Sequence, residues 1–140
     1  MISERTLSKN NKRAGPVVLC VDDDTMTLTI MKSILQKNGF SVHITTNWNC
    51  ALNTFRENPI DLVLLDYEMP DIKGHEVAEL IRRLKPEVPI ILHSGSSDVP
   101  EIAIKLTDAI IPKGVEPCVL IASISNLIMR SRATRSCRPA

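Results

Sequence analysis

The stretch Asp61-Leu62-Val63-Leu64-Leu65-Asp66-Tyr67-Glu68-Met69-Pro70 decides the fold of this chain. Four consecutive apolar residues, Leu62 to Leu65, end at a carboxylate, and prolines at positions 59 and 70 flank the run. A short apolar run bounded in this way predicts a β-strand that is buried on both faces. Asp66 would then stand at the carboxyl end of a sheet, where open α/β sheets bind their ligands. We therefore take Asp66 as the first candidate functional residue.

Four other segments are predicted strands, at residues 17–21, 40–45, 89–94 and 109–111. Segments with helical spacing of apolar residues separate the strands, and a last helix begins at Glu116-Pro117. The first helix is predicted to bury a stripe of Met26, Ile30 and Ile34, with Met31 and Leu35 beside it. Short connections between strand and helix imply parallel strands with right-handed crossovers, and apolar strands imply helices on both faces.

The predicted fold class is therefore α/β, a flavodoxin-like, doubly wound, five-stranded parallel sheet with five helices. We propose the strand order 2-1-3-4-5, which the sequence alone does not fix. This order places the first and third strands side by side, at the switch point where ligands collect. Asp22 and Asp23, which follow the first strand, would then meet Asp66 at one edge of the sheet.

Length and composition favour one cytoplasmic domain. The chain has 140 residues and a formal net charge of +1, which gives no general case for nucleic-acid binding. We predict a flexible leader at residues 1–15, a folded domain at 16–130 and a basic tail at 131–140. Because no aromatic residues alternate with the tail arginines, we favour a solvated, disordered tail over one that binds nucleic acid or a membrane. No apolar stretch predicts a signal peptide or a membrane span.

The four cysteines are at positions 20, 50, 118 and 137, and no two have the spacing of a metal or redox motif. Three of them lie in segments with an apolar pattern. We interpret the cysteines as reduced, buried thiols, which agrees with a cytoplasmic protein.

The residue types at the predicted strand ends indicate phosphoryl transfer to a carboxylate. Three acids close together repel one another unless a cation or a proton intervenes, and Mg²⁺ is the hard cation that best suits oxygen ligands. Lys113, after the fifth strand, would supply a positive charge, and Ser94, at the end of the fourth, a hydroxyl donor. The metal and the lysine would neutralise the phosphoryl oxygens while a carboxylate attacks in line. Asp24 is better explained as a helix N-cap.

These residues resemble the receiver domain of two-component response regulators over about residues 16–130. The resemblance rests on Val21-Asp22-Asp23, Leu65-Asp66-Tyr67-Glu68-Met69-Pro70, Asp71 with Gly74, Ser94 and Lys113, which occur in order and with near-family spacing. It implies a chemotaxis-regulator-like, stand-alone receiver that is phosphorylated by a histidine kinase or a phosphotransfer protein and acts through an unidentified protein partner. No catalytic turnover of its own is implied.

The resemblance also implies a role for each site residue. Asp66 would be the phospho-acceptor, Lys113 would bind one phosphoryl oxygen, and Ser94 would close onto another. Asp23, Asp66 and the main-chain carbonyl of Glu68 would hold Mg²⁺, and Asp22 would support the ion through water.

Three departures from the family pattern lie where the signal would leave the site. The position three residues before the lysine is usually aromatic and is Ile110 here, which has neither a ring nor a hydroxyl. The lysine is usually followed by proline, and here Gly114 follows. The interval from Ser94 to Lys113 is short, which predicts a truncated fourth helix that ends at about Leu106.

Two alternatives remain open from the sequence. The departures are also compatible with a degenerate receiver that binds a partner independently of phosphorylation. Glu68, an acid two residues after a candidate nucleophile, is compatible with a phosphatase that forms an aspartyl intermediate, although the family resemblance argues against it.

Overall fold

The computed structural model describes residues 15–136, so most of the predicted leader and the last four residues of the predicted tail lie outside it. The described chain forms five strands, which are β1 (Val17–Val21), β2 (Ser41–Thr45), β3 (Leu62–Asp66), β4 (Ile90–Ser94) and β5 (Ala109–Pro112). Its five helices are α1 (Thr25–Lys37), α2 (Trp48–Glu57), α3 (Gly74–Leu84), α4 (Glu101–Leu106) and α5 (Pro117–Ser136). Strands and helices alternate along the chain, as predicted.

The strands form one parallel sheet in the order β2-β1-β3-β4-β5. The predicted fold class and strand order are therefore confirmed. β3 is the central strand, and all five of its residues are buried. Its register pairs Val21 with Leu65 on one side and His93 with Asp66 on the other. The end of β3 thus lies between the ends of β1 and β4.

Helices cover both faces of the sheet because the strands present apolar side chains on both. One cluster contains Leu19 and Leu65 of the sheet and is covered by α2, α3 and α4 through residues such as Phe55, Ile81 and Ala103. The other contains Cys20 and Leu64 and is covered by α1 and α5 through residues such as Leu35 and Ile124. Alternate residues of each strand thus enter different cores.

Helix α1 buries a different face from the one predicted. Leu28, Met31 and Leu35 are buried, whereas Met26 is 70% exposed and Ile30 is 54% exposed. Two apolar stripes lie side by side on this helix, so helical periodicity alone does not choose between them. Packing against the sheet and α5 selects the face that carries Leu28, Met31 and Leu35. Asp24 is the N-cap, as predicted, and its side chain accepts hydrogen bonds from the Met26 amide and the Thr27 hydroxyl.

Helix α5 continues to Ser136, beyond the predicted domain boundary at residue 130. The prediction of a disordered tail is therefore wrong for residues 131–136. Ser131 donates a hydrogen bond to the Glu87 carbonyl at 3.0 Å, and Arg132 lies 3.4 Å from the Asp61 carboxylate. These contacts attach the last turns of α5 to the domain, and composition alone could not show them. Across residues 15–136, α5 included, no helix combines the length and apolarity needed to cross a bilayer.

The cysteines were predicted to be buried, and this is correct only for Cys20. Cys50 and Cys118 are free thiols on exposed helix positions, and Cys137 lies outside the described residues. Burial, together with the nearby charge of Asp22, raises the pKa of the Cys20 thiol to about 12, so this thiol is un-ionised at neutral pH.

Arg82 joins two connections at the edge of the sheet opposite Asp66, the one before β4 and the one before β5. Its guanidinium donates hydrogen bonds to the carbonyls of Leu106, Pro86 and Val88, each at 3.1 Å. It also forms an ion pair with Asp108, whose carboxylate accepts a hydrogen bond from the Ile90 amide at 2.8 Å. One planar side chain with several donors thus binds acceptor groups that precede β4 and acceptor groups that precede β5.

Arg82→Ala is expected to lower the free energy of unfolding by about 2–4 kcal/mol, because three carbonyls and a carboxylate lose their partner together. Arg82→Lys should recover less than half of this loss, since one ammonium cannot reach all four acceptors. Urea unfolding followed by circular dichroism measures both effects.

The matched control is Arg83→Ala, because Arg83 is exposed and pairs only with Glu79 one turn away. We expect a change within about 0.5 kcal/mol. Equal losses in the Arg82→Ala and Arg83→Ala variants would contradict this account of the loop contacts.

Candidate functional site

Four neighbouring strands bring the predicted site residues to one edge of the sheet. Asp22 follows β1, Asp66 ends β3, Ser94 ends β4, and Lys113 follows β5. The backbone continues the sheet pairing up to this edge, since the Lys113 amide donates to the Ser94 carbonyl at 2.8 Å. Parallel strands in this order therefore place two acids, a hydroxyl and an ammonium side by side.

Three carboxylates form the centre of the site. Asp22, Asp23 and Asp66 each offer an oxygen within 4.8 Å of the others. Asp22 is 4% exposed and Asp66 is 2% exposed, whereas Asp23 is exposed. Burial, and then repulsion from Asp66, raises the pKa of Asp22 to about 6, although a hydrogen bond from the Asp24 amide and the charge of Lys113 oppose the rise. The buried acids thus carry negative charge that the protein compensates only in part.

Lys113 binds one oxygen of Asp66 and leaves the other without a partner. The Lys113 ammonium lies 2.8 Å from Asp66 Oδ1 and 3.8 Å from Asp22 Oδ2. The Glu68 amide also donates to Asp66 Oδ1, at 3.2 Å. Asp66 Oδ2 is buried and has no hydrogen-bond partner among residues 15–136. A buried carboxylate oxygen with free lone pairs can bind a water molecule or a metal ion, or it can act as a nucleophile.

The ammonium of Lys113 is held in its charged form. Burial alone would lower the pKa of Lys113, but the hydrogen bond to Asp66 and the charges of Asp66, Asp22 and Glu68 outweigh burial, so the pKa is raised. Lys113 therefore carries a fixed positive charge beside the acid cluster at every physiological pH.

The donor set of this site fits Mg²⁺. The three carboxylates offer only hard oxygen ligands close to one another, and the ammonium of Lys113 compensates only part of their negative charge. Burial is the main cause of the raised pKa of Asp22, and repulsion from Asp66, which a cation between the acids would relieve, adds to it. The predicted ligands Asp22, Asp23 and Asp66 thus lie together. The assignment of the Glu68 carbonyl as a ligand stays a prediction.

Ser94 lies at the site, but its hydroxyl is engaged by Glu68. Ser94 is 1% exposed and donates to Glu68 Oε2 at 2.8 Å. The Gly95 amide donates to the other oxygen, Glu68 Oε1, at 3.1 Å. Burial raises the pKa of the Glu68 carboxyl, but these two donors and Lys113 outweigh burial, and the pKa lies below its ordinary value. The sequence drew attention to the Glu68 carbonyl and gave no signal for this side-chain contact.

His93 is a neighbour of Asp66 that the sequence did not mark as a candidate site residue. It is 8% exposed and pairs in register with Asp66. Burial, followed by the charge of Lys113, lowers the pKa of His93 and outweighs the attraction of Asp66 and Glu68, so the ring is neutral at neutral pH. Its place one residue before Ser94, on the strand beside β3, was the signal that could have identified it.

The structure shows the surroundings of Ile110 and the backbone conformation of Gly114, two of the departures from the family pattern. Ile110 is partly buried and packs against the core on the side of α2, α3 and α4. Gly114 has φ +94°, a left-handed conformation that proline cannot adopt because its ring fixes φ near −65°. The predicted truncation of the fourth helix is confirmed, since α4 has 6 residues.

Comparison with known proteins agrees with this geometry. The family described as the response regulator receiver domain matches residues 18–125. The sensor kinase/phosphatase LuxN of Vibrio campbellii is 29% identical over 125 residues, which are 88% of this chain and only 15% of that kinase. Two solved structures are similar in sequence and in fold. A CheY-like receiver domain protein from Methanospirillum hungatei is 28% identical with a TM-score of 0.81, covering 85% of this chain and 98% of its own. The response regulator TrrA of Thermotoga maritima, solved in complex with Mg(2+)-BeF, is 32% identical with a TM-score of 0.76, covering 81% and 99%.

Asp22→Asn should stabilise the metal-free protein at neutral pH. Because the folded-state pKa of Asp22 is raised from 3.8 to about 6, its contribution to stability is present below pH 4 and is lost as the pH rises through 6. We expect the gain from Asp22→Asn to grow over this interval and to reach the order of 1–2 kcal/mol at pH 7. Urea unfolding in a chelator at several pH values measures it.

Asp71→Asn is the matched control, because Asp71 is an exposed acid in the loop after β3. Its stability should follow the wild type across the same pH range. Adding Mg²⁺ at pH 7 should stabilise the wild type and the control more than Asp22→Asn, by mass action. If Asp22→Asn shows no gain without metal, burial beside Asp66 does not raise this pKa.

Proposed function

This chain belongs to the family of response regulator receiver domains of two-component systems, and we propose that it signals by accepting a phosphoryl group on Asp66. The observation that carries the proposal is the difference between the surroundings of the two Asp66 carboxylate oxygens. Its Oδ1 is bound by Lys113 at 2.8 Å, whereas its buried Oδ2 has no hydrogen-bond partner among the described residues. One oxygen is thus fixed and the other keeps its lone pairs for attack.

In the proposed step, a lone pair of Asp66 Oδ2 attacks the phosphorus of a phosphohistidine on a histidine kinase or a phosphotransfer protein. A phosphorus–oxygen bond forms, and the phosphorus–nitrogen bond breaks with its electron pair going to the imidazole, which takes up a proton from solvent. The product on this chain is an acyl phosphate. Lys113, with its raised pKa, compensates charge on the phosphoryl oxygens throughout.

We assign the metal site to Asp22, Asp23, Asp66 and the Glu68 carbonyl. Bound Mg²⁺ would neutralise charge on the phosphoryl oxygens and orient the donor. The Mg(2+)-BeF complex of the Thermotoga maritima relative supports this assignment. Receiver domains are signalling modules, so we expect the phosphorylated chain to act by binding a protein partner rather than by turning over a substrate. We further propose that the receiver unit begins at residue 16, as predicted, and includes the rest of α5 beyond the predicted boundary at residue 130, and that the protein works in the cytoplasm.

The phosphodonor protein is proposed to dock on α1, beside the acids at positions 22–24. Met26 and Ile30 are large apolar side chains that are 70% and 54% exposed, and they lie one helical turn apart. Helix α1 begins at Thr25, immediately after the acids at 22–24, so this face adjoins the edge that carries Asp66. Exposed apolar residues beside a reactive group are expected where a partner protein binds.

Incubation with Mg²⁺ and acetyl phosphate should add the mass of one phosphoryl group to the chain. The metal-binding carboxylates and Lys113 are already assembled, so a small donor suffices. Intact-mass spectrometry measures the adduct, and Asp66→Asn should abolish it. Absence of the adduct in the wild type would instead favour a receiver that binds its partner independently of phosphorylation, and persistence in Asp66→Asn would exclude Asp66 as acceptor.

Ile30→Asp should slow phosphoryl transfer from a phosphotransfer protein at least tenfold and leave labelling by acetyl phosphate unchanged. A buried charge would disrupt apolar docking, whereas a small donor needs no docking surface. The matched control is Met129→Asp, since Met129 is 67% exposed on α5. Equal slowing by Ile30→Asp and Met129→Asp, or slower labelling by acetyl phosphate, would contradict a docking role for Ile30.

A further inference from the structure

The Glu68 side chain holds the turn that follows β4 by two hydrogen bonds. Its Oε2 accepts from the Ser94 hydroxyl at 2.8 Å, and its Oε1 accepts from the Gly95 amide at 3.1 Å. Both bonds are to a charged acceptor, which makes them stronger than bonds between neutral groups. The Gly95 amide is at an exposed position, and Glu68 is its only hydrogen-bond partner in the described chain.

The contact matters because a serine hydroxyl has only one hydrogen to donate. In this structure the Ser94 oxygen lies 2.8 Å from Glu68 Oε2 and 2.9 Å from the Ser96 carbonyl, and it accepts from the Ser96 amide at 3.1 Å. Its single hydrogen is therefore already shared between two acceptors of the resting turn. The same hydrogen cannot at the same time be donated to a phosphoryl oxygen on Asp66.

We propose that Glu68 is a positioning residue whose carboxylate keeps the Ser94–Gly95 turn in its resting conformation and must release it when Asp66 is phosphorylated. The inference rests on the proposed function of Asp66. Glu68 is two residues from Asp66 in sequence, and a phosphoryl group would bring about 1.5–2 negative charges near its carboxylate. Phosphorylation thus both competes for the Ser94 hydrogen and repels the group that holds it. Glu68 thus sets the free-energy cost of moving the Ser94 hydroxyl from the resting turn to the phosphoryl group.

The proposal predicts that Glu68→Gln tightens the binding of beryllofluoride, which mimics the phosphoryl group, at saturating Mg²⁺. Glutamine keeps the length but has only one acceptor oxygen and no charge, so one of the two resting hydrogen bonds is lost and the other weakens by roughly half. We expect the dissociation constant to fall about three- to tenfold. Asp71→Asn, which removes an exposed charge from the same loop, should change it less than twofold.

Repeating the beryllofluoride measurement in a Ser94→Ala variant separates the effect of releasing the Ser94 hydroxyl from the effect of removing the Glu68 charge. With Ser94→Ala there is no hydroxyl to release, so Glu68→Gln should tighten beryllofluoride binding at least threefold less than it does with Ser94 present. Equal gains in both backgrounds, or no gain in either, would overturn the proposal while leaving phosphorylation of Asp66 intact. Failure of the wild type to bind beryllofluoride would count against the proposed function itself.

The resting contact is testable without any phosphoryl mimic. In the metal-free protein, NMR measurement of amide exchange should show the Gly95 amide exchanging at least fivefold faster in Glu68→Ala than in the wild type. Asp71→Asn should exchange like the wild type. An unchanged Gly95 exchange rate in Glu68→Ala would refute the claim that Glu68 holds the Ser94–Gly95 turn in the resting protein, whatever the result with beryllofluoride.

Discussion

The site depends on one electrostatic constraint, the burial of Asp22 and Asp66 against each other with a single fixed cation beside them. Lys113 contacts both acids and satisfies one oxygen of Asp66, while the other oxygen is left without a partner in residues 15–136. An arrangement of this kind costs stability in the absence of a further cation. The sheet sustains it because buried apolar residues anchor β1 as far as Val21, β3 as far as Leu65 and β4 as far as Leu92. The free energy gained by burying the apolar core thus offsets the electrostatic repulsion between the acids of the site.

Much of this arrangement could be predicted from the sequence, because the strongest signals are local. Apolar runs that stop at a charged or polar residue located the strands, and parallel pairing then placed Asp22, Asp66, Ser94 and Lys113 at one edge. The face that α1 buries could not be predicted, since two apolar stripes compete and the long-range packing decides between them. The helical residues 131–136 were missed because the contacts of Ser131 and Arg132 are made with residues far away in sequence.

The side chain of Glu68 shows why chemistry at the site is harder to predict than the fold. Its position two residues after Asp66 was visible in the sequence, but its contact with Ser94 depends on the conformation of two loops that belong to different strands. The departures from the family lie in neighbouring elements, which are α4, β5 and the loop after β5. Ile110 has no hydroxyl or ring, Gly114 has a left-handed backbone, and α4 has only 6 residues. The charged hydrogen bonds of Glu68 give this region a resting conformation without a contribution from an aromatic residue at position 110.

The central claim is that Asp66, and not Asp22 or Asp23, is the nucleophile, and chemical trapping tests it most directly. An acyl phosphate is reduced by borohydride to an alcohol, which would convert a phosphorylated aspartate to homoserine at the modified position. After treatment with Mg²⁺ and a phosphodonor, peptide mapping should find homoserine at position 66 and aspartate at positions 22 and 23. Homoserine at position 22 or 23, or at none of the three when the phosphodonor is in excess, would contradict the account.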